Sequence, residues 1–186
     1  MYKHLMTLAL VLVLYPDHAL AQPGHAGHGP MAMQSMGELQ KLSGRSFDIA
    51  YMSMMIEHHK GAVEMARAIL KTSKDARIRK AAQEIVAVQQ KEITQLEGWL
   101  KAWYGVAPSQ RYMQMMRTDM QPMMPSVPTD RTFLEGMIPH HQDAVEMSRL
   151  CLQKAARAEL KRFCQGVIEV QTREIAQFKN WLGQLR

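Results

Sequence analysis

The chain has 186 residues, enough for one domain with a sizeable core, and a formal net charge of +6. Its basic residues are scattered among acids, mostly near expected helix turns, with no aromatic-rich basic element, so no nucleic-acid partner is expected. The one long apolar run, residues 5–14, falls short of the roughly twenty residues that span a bilayer, so no stable membrane anchor is expected after processing.

Residues 1–21 read as an export signal. Lys3 and His4 precede the apolar run, and Ala19-Leu20-Ala21 offers a small-x-small cleavage site before Gln22, which predicts a periplasmic or secreted protein. Residues 22–43 form a short tail with His25, His28, Met31, Met33 and Met36, expected to be mobile and able to capture Cu(II) or pass metal inward. From residue 44 the apolar positions take a helical period: Met55, Ala62, Met65 and Ile69, then Ile85, Leu96, Trp99 and Trp103. Thr72-Ser73-Lys74-Asp75 breaks that pattern, with Ser73 placed to cap a second helix. The connector, residues 104–128, carries Met113, Met115, Met116, Met120, Met123 and Met124, with three prolines after Asp119. It has room for a short helix at residues 111–117 and runs either overhand across one end of the bundle or as a lid over the core. The helical pattern resumes over residues 129–185. Two helix-turn-helix units result, and because an αα-hairpin cannot bury both faces alone, they are expected to stack as an all-α four-helix bundle over residues 44–185.

The two units are copies. Met55-Ile56-Glu57-His58-His59, followed by Ala62-Val63-Glu64-Met65, recurs 82 positions later as Met137-Ile138-Pro139-His140-His141, followed by Ala144-Val145-Glu146-Met147. The alignment runs without a gap from Asp48/Asp130 to Leu100/Leu182 and includes Glu92/Glu174 and Trp99/Trp181, so one structural unit is used twice, in repeats 48–103 and 129–185. Each copy joins imidazole nitrogen to thioether sulfur, a pairing that suits Cu(I) or Ag(I) and not Zn(II), for which Met is a poor ligand. A methionine stripe at helical spacing is ordinarily core filler. The connector methionines, however, lie where no core helix is expected, and Met113-x-Met115-Met116 and Met123-Met124 suit a labile thioether site. At about 100° per residue, His58 and His140 fall on the core face with their methionines, whereas His59 and His141 turn toward a seam with a neighbouring helix.

Cys151 and Cys164 stand level across the second hairpin. In an exported protein they form either a disulfide, worth roughly 3 kcal/mol in the chain-entropy model, or a thiolate metal site. The first copy has Ile69 and Ala82 at these places. The same register sets Glu92 opposite His59 and Glu174 opposite His141. Each carboxylate either accepts a ring N–H and fixes its imidazole or pairs with a surface Arg or Lys. Pro139 replaces Glu57 and either kinks the third helix or marks its start.

The Met-Ile-x-His-His-x-x-Ala-Val-Glu-Met pattern, its duplication, the Pro139 variant and the trailing Trp-Leu of each copy resemble the family called domain of unknown function 305. The resemblance implies a ferritin-like fold and, in some members, periplasmic copper binding linked to copper and silver tolerance. By motif position it implies metal-ligand roles for Met55, His58, His59, Met65, Met137, His140, His141 and Met147. The expected function is capture of Cu(I) or Ag(I) without turnover, for buffering or for handover to a copper efflux or delivery protein. A metal-free interaction scaffold is the main alternative. A di-iron oxidase needs Glu-x-x-His motifs that the chain lacks, and a covalent haem needs an absent Cys-x-x-Cys-His, leaving only a non-covalent haem held by Met and His.

Overall fold

The computed structural model describes residues 32–185; the signal segment 1–21 and the tail histidines His25 and His28 lie outside the described residues. The helices are α1 (Ala32–Lys41), α2 (Gly44–Thr72), α3 (Ala76–Trp99), α4 (Gln110–Met120), α5 (Asp130–Lys154) and α6 (Ala158–Gln184). A π-helical turn, Leu100–Tyr104, extends α3, and a 3-10 turn, Gln121–Met123, follows α4. Hairpins α2–α3 and α5–α6 form the four-helix bundle and meet through α2 and α5, while α4 packs on α2 and α1 packs on α4.

Local chemistry sets the helix ends. Asp75, not Ser73, caps α3: its carboxylate accepts the Arg77 N–H at 2.8 Å, while the Ser73 hydroxyl accepts the Asp75 N–H at 3.2 Å. The turn is short enough to bring the stronger acceptor to the cap position. Thr129 and Thr132 cap the start of α5 reciprocally, so that helix begins at Asp130 and runs on through Pro139 to Lys154. Pro139 therefore does not mark its start.

Two stretches are more ordered than their composition suggests. The tail expected to be loose through residue 43 is helical from Ala32, because Leu39 is fully buried and the Ser35 N–H donates to the buried Asp119 carboxylate at 2.9 Å. The connector's helix extends from Gln110 to Met120, longer than residues 111–117, and buries Met113, Met116 and Met120. These three follow the i, i+3, i+7 spacing of one helix face. They belong to a packed interface and not to a flexible loop.

The apolar interior falls into two clusters. One gathers Phe47, Tyr51, Met55, Met147, Cys151 and Leu96; the other gathers Met65, Ile69, Ile85, Phe133, Met137 and Phe178. Each copy's first motif methionine thus lies with the other copy's second, as an approximate two-fold axis between α2 and α5 requires. Cys151 and Cys164 are joined as a disulfide that ties the end of α5 to the first turns of α6.

The connector approaches α5 closely at Gly136, where the first copy has Met54. A Cβ on Gly136 would stand 2.6 Å from the Met123 carbonyl oxygen and 2.9 Å from the Met65 Cε. The flexible methionine can move, but the backbone carbonyl moves only with the whole connector. Gly136→Ala is therefore expected to cost about 1–3 kcal/mol in denaturant unfolding. Gly98→Ala, whose Cβ would meet nothing within 4 Å, should be neutral or stabilising by up to about 1 kcal/mol. Equal stability of the two variants would contradict this account.

Candidate metal centre

A layer of four imidazoles lies between the two apolar clusters. His58 and His59 come from the middle of α2, His140 and His141 from the middle of α5, and all four are fully buried. The His58 and His140 rings meet where the helices cross, with centroids 3.7 Å apart and planes inclined by 43°. Each outer ring lies beside its own neighbour, His59 at 6.2 Å from His58 and His141 at 6.2 Å from His140.

Hydrogen bonding within the layer is incomplete. His58 Nε2 donates to the His140 carbonyl at 2.9 Å. A carbonyl only accepts, so the proton is on Nε2, and Nδ1 of a neutral ring keeps its lone pair. That Nδ1 has no partner, and neither nitrogen of His140 has one. The charged form is strongly disfavoured at both positions. Burial pushes the His58 imidazole well below the usual value, reinforced by His140, His59 and His141; burial does the same for His140, reinforced by His141 and His59. The inner pair therefore presents neutral rings with free lone pairs, the form that binds metals.

The outer pair faces carboxylates. Glu92 Oε2 lies 2.9 Å from His59 Nε2, and Glu174 Oε2 lies 2.9 Å from His141 Nε2, with each glutamate about one-quarter exposed. The approach is at hydrogen-bond distance but not in line with an N–H on either ring, so each pair is a close polar contact and not an aligned hydrogen bond. No Arg or Lys ion pair to either glutamate is found among the described residues. Gln89 and Gln171, one turn earlier, are buried with side-chain carbonyls lacking a partner, and they line with both glutamates a cavity of about 10 Å³ between α3 and α6.

The sulfur donors divide in two groups. Met55, Met65, Met137 and Met147 are buried in the clusters above and below the imidazoles. In the connector, Met113, Met116 and Met120 turn inward, whereas Met115, Met123 and Met124 are partly exposed. No cluster of three or more His, Cys, Asp or Glu side chains able to hold a metal ion occurs among the described residues. The donors that share this interior are imidazole nitrogens and thioether sulfurs, types that suit soft ions better than hard ones.

Sequence reasoning passed over three residues beside this layer. Gly61 lies against His140 and Met120, and Glu57 receives the Arg117 guanidinium at 2.6 Å across the α2–α4 cleft. The signal for Gly61 was present: a glycine inside a helix where the second copy has Asp143, although such a glycine costs about 1 kcal/mol relative to alanine.

The buried neutral histidines give stability a definite pH dependence. In the unfolded chain they titrate near 6.5, so as pH falls below that value the unfolded state takes up protons that folded His58 and His140 refuse. Stability is complete above about pH 6.5 and is lost progressively below it, at up to about 1.4 kcal/mol per pH unit for each histidine. The melting temperature of the metal-free protein should fall between about pH 7 and pH 5, and a His58→Leu, His140→Leu double variant should lose most of that slope. Parallel pH profiles for the two proteins would show that these rings are not responsible.

Comparison with known proteins places the chain. The family profile described as domain of unknown function (DUF305) matches residues 48–182 and, separately, residues 15–100. The ends of the two matches differ by the offset of the internal repeat. No curated protein sequence matches. The fold is similar to that of CopM, with 28% identity and a TM-score of 0.64, in its Cu(II)-bound form (75% of this chain, 98% of CopM) and its Cu(I)-bound form (74% and 96%). CopM is also known in an Ag-bound form, with the same identity and TM-score (74% and 95%). A DUF305 fragment from Deinococcus radiodurans is 28% identical, with a TM-score of 0.62 over 74% of this chain and 96% of its own. With the duplicated His-His motif, the helical bundle and the family profile in agreement over most of its length, the chain belongs to the DUF305 family.

Proposed function

We propose that this protein binds Cu(I) and Ag(I) through imidazole and thioether groups after export, buffering the metal or handing it to a copper efflux or delivery protein, without catalysing a reaction. The observation that carries the reading is the layer of four fully buried imidazoles, most of whose ring nitrogens lack a protein partner. Leaving such groups unpaired in a protein interior costs on the order of 1–3 kcal/mol each, a penalty that metal ligation removes. CopM, with the same fold, is known with Cu(I), Cu(II) and Ag bound, which supports carrying the metal class over to this chain. Methionines surround the histidines on both sides, and sulfur favours the monovalent ions. Export rests on the N-terminal sequence pattern; among the described residues no helix is long and apolar enough to cross a membrane.

Anaerobic Cu(I) titration against a competing chromogenic chelator tests the proposal. Replacing His58, His59, His140 and His141 singly with Leu, which fills most of the vacated space, should weaken Cu(I) at least about tenfold at the positions that ligate. Far-UV circular dichroism would confirm that each variant folds. Wild-type affinity in all four variants would remove the histidine layer from metal binding. Absence of Cu(I) and Ag(I) binding by the wild-type protein would overturn the function itself.

A further inference from the structure

We infer that Met120 and His140 form a specific seat for a monovalent soft ion, built over the missing side chain of Gly61 and reached through the cleft between α2 and α4. The inference rests on the metal-binding reading above and adds where the ion sits and how it arrives.

Gly61 defines the place. A Cβ on Gly61 would stand 3.3 Å from His140 Nε2, 3.3 Å from Met120 Sδ and 3.3 Å from Met120 Cε. A nitrogen donor from α5 and a sulfur donor from α4 therefore converge from different helices on the volume that glycine leaves empty on α2. Backbone conformation does not demand this glycine: the positive-φ glycines among the described residues are Gly44 and Gly105. Its use inside α2 is explained by what stands opposite. Neither nitrogen of His140 has a hydrogen-bond partner, so the neutral ring is free to carry its proton on Nδ1 and turn the Nε2 lone pair to the seat. The Cβ position lies one bond from the Gly61 Cα, so an ion would sit beyond it, between Nε2 and Sδ, and the unbranched methionine side chain can swing its sulfur to meet it. One nitrogen and one thioether are too few for zinc or a hard divalent ion but suit Cu(I) or Ag(I).

The way in is also visible. A cleft of about 330 Å³ between α2 and α4 is lined by Gly61, Met120, Met124, Glu57, Glu64 and Arg117, with Lys60 at its side. Met120 is 4% exposed and so forms its floor, while Met124 is half-buried and offers a sulfur nearer the mouth. Two carboxylates and two cations surround the opening. Arg117 is held against Glu57 at 2.6 Å, which leaves Glu64 and Lys60 as the other charges there. A cation meets Met124 first and Met120 at the floor; His140 does not line the cleft and stands behind it, beside Gly61.

Titration of the wild-type protein with Ag(I), followed by 13C-methyl NMR of methionine, should shift the Met120 ε-methyl within the first equivalent. Gly61→Ala places a methyl in the seat while keeping both donors, and Met120→Leu removes the sulfur at nearly constant volume. Each should weaken the first Cu(I) equivalent at least about tenfold in the anaerobic chelator competition. First-equivalent affinity equal to wild type in either folded variant overturns the seat, as does a first equivalent that moves other methionine methyls and leaves Met120 unshifted. A Gly61→Ala protein that is less stable yet binds normally shows that the glycine serves packing alone and likewise overturns it. Should Gly61→Ala not fold, Met120→Leu decides. Failure of the wild-type protein to bind either ion strikes the reading of the preceding subsection, whereas binding indifferent to both substitutions strikes only the seat.

Discussion

Four imidazoles at one level of a helical bundle impose a condition that the rest of the fold has to meet. Water is excluded from all of them, so each ring nitrogen is either satisfied by the protein or left without a partner. The bundle responds with two apolar clusters that supply the burial energy on either side of the layer and a polar interruption between them. The outer rings reach carboxylates on α3 and α6, which are partly exposed and so retain water on one face. The inner rings press against each other, and the one hydrogen bond there runs from the His58 ring to the His140 backbone carbonyl. Polar capacity left unused at the centre of a molecule is a poor device for stability alone and a suitable one for holding a cation.

The duplication explains how this layer is built from one motif. An approximate two-fold relation brings each His-His pair to the other copy and exchanges the flanking methionines between clusters. The copies then diverge where they touch different neighbours. Tyr51 and Ser148 share a 2.8 Å hydrogen bond in one cluster, whereas Phe133 and Ala66, their repeat equivalents, are apolar in the other. Met54 fills its place in α2, but Gly136 must be small because the connector lies against it. Glu57 pairs with Arg117 from α4, and Pro139 takes the equivalent place in α5, bordering the groove under the prolines of the connector. The single-copy elements, α1 and α4 with its following turn, thus account for much of the asymmetry.

Much of this was legible in the chain because it repeats or has a period. The helical spacing of apolar residues and the gapless alignment of the two copies are enough to set two hairpins face to face, and the mirror register is enough to bring Glu92 near His59 and Glu174 near His141. What the chain did not disclose depends on single-copy contacts. The inward stripe Met113, Met116 and Met120 was present, yet its partner surface on α2 is invisible without the fold, so those methionines read as a loose cluster. The α1 helix depends on the Ser35–Asp119 bond, a contact between segments far apart in sequence. Asp75 displaced Ser73 as a cap because two good capping residues compete within one short turn, and sequence alone does not rank them. Glycines are hardest of all: Gly61 and Gly136 are informative only through what occupies the space beside them.

The covalent tie between Cys151 and Cys164 also decides which half of the molecule can breathe. It closes the turn of the α5–α6 hairpin, whereas the α2–α3 hairpin has Ile69 and Ala82 at the equivalent places and no covalent tie, its turn being held by packing and by the Arg79 guanidinium donating to the Leu70 and Ser73 carbonyls. Motions that separate paired helices at their turn therefore have a larger amplitude available in the first hairpin than in the second. His140 and His141 stand on the covalently tied hairpin, whereas His58 and His59 stand on the hairpin without such a tie.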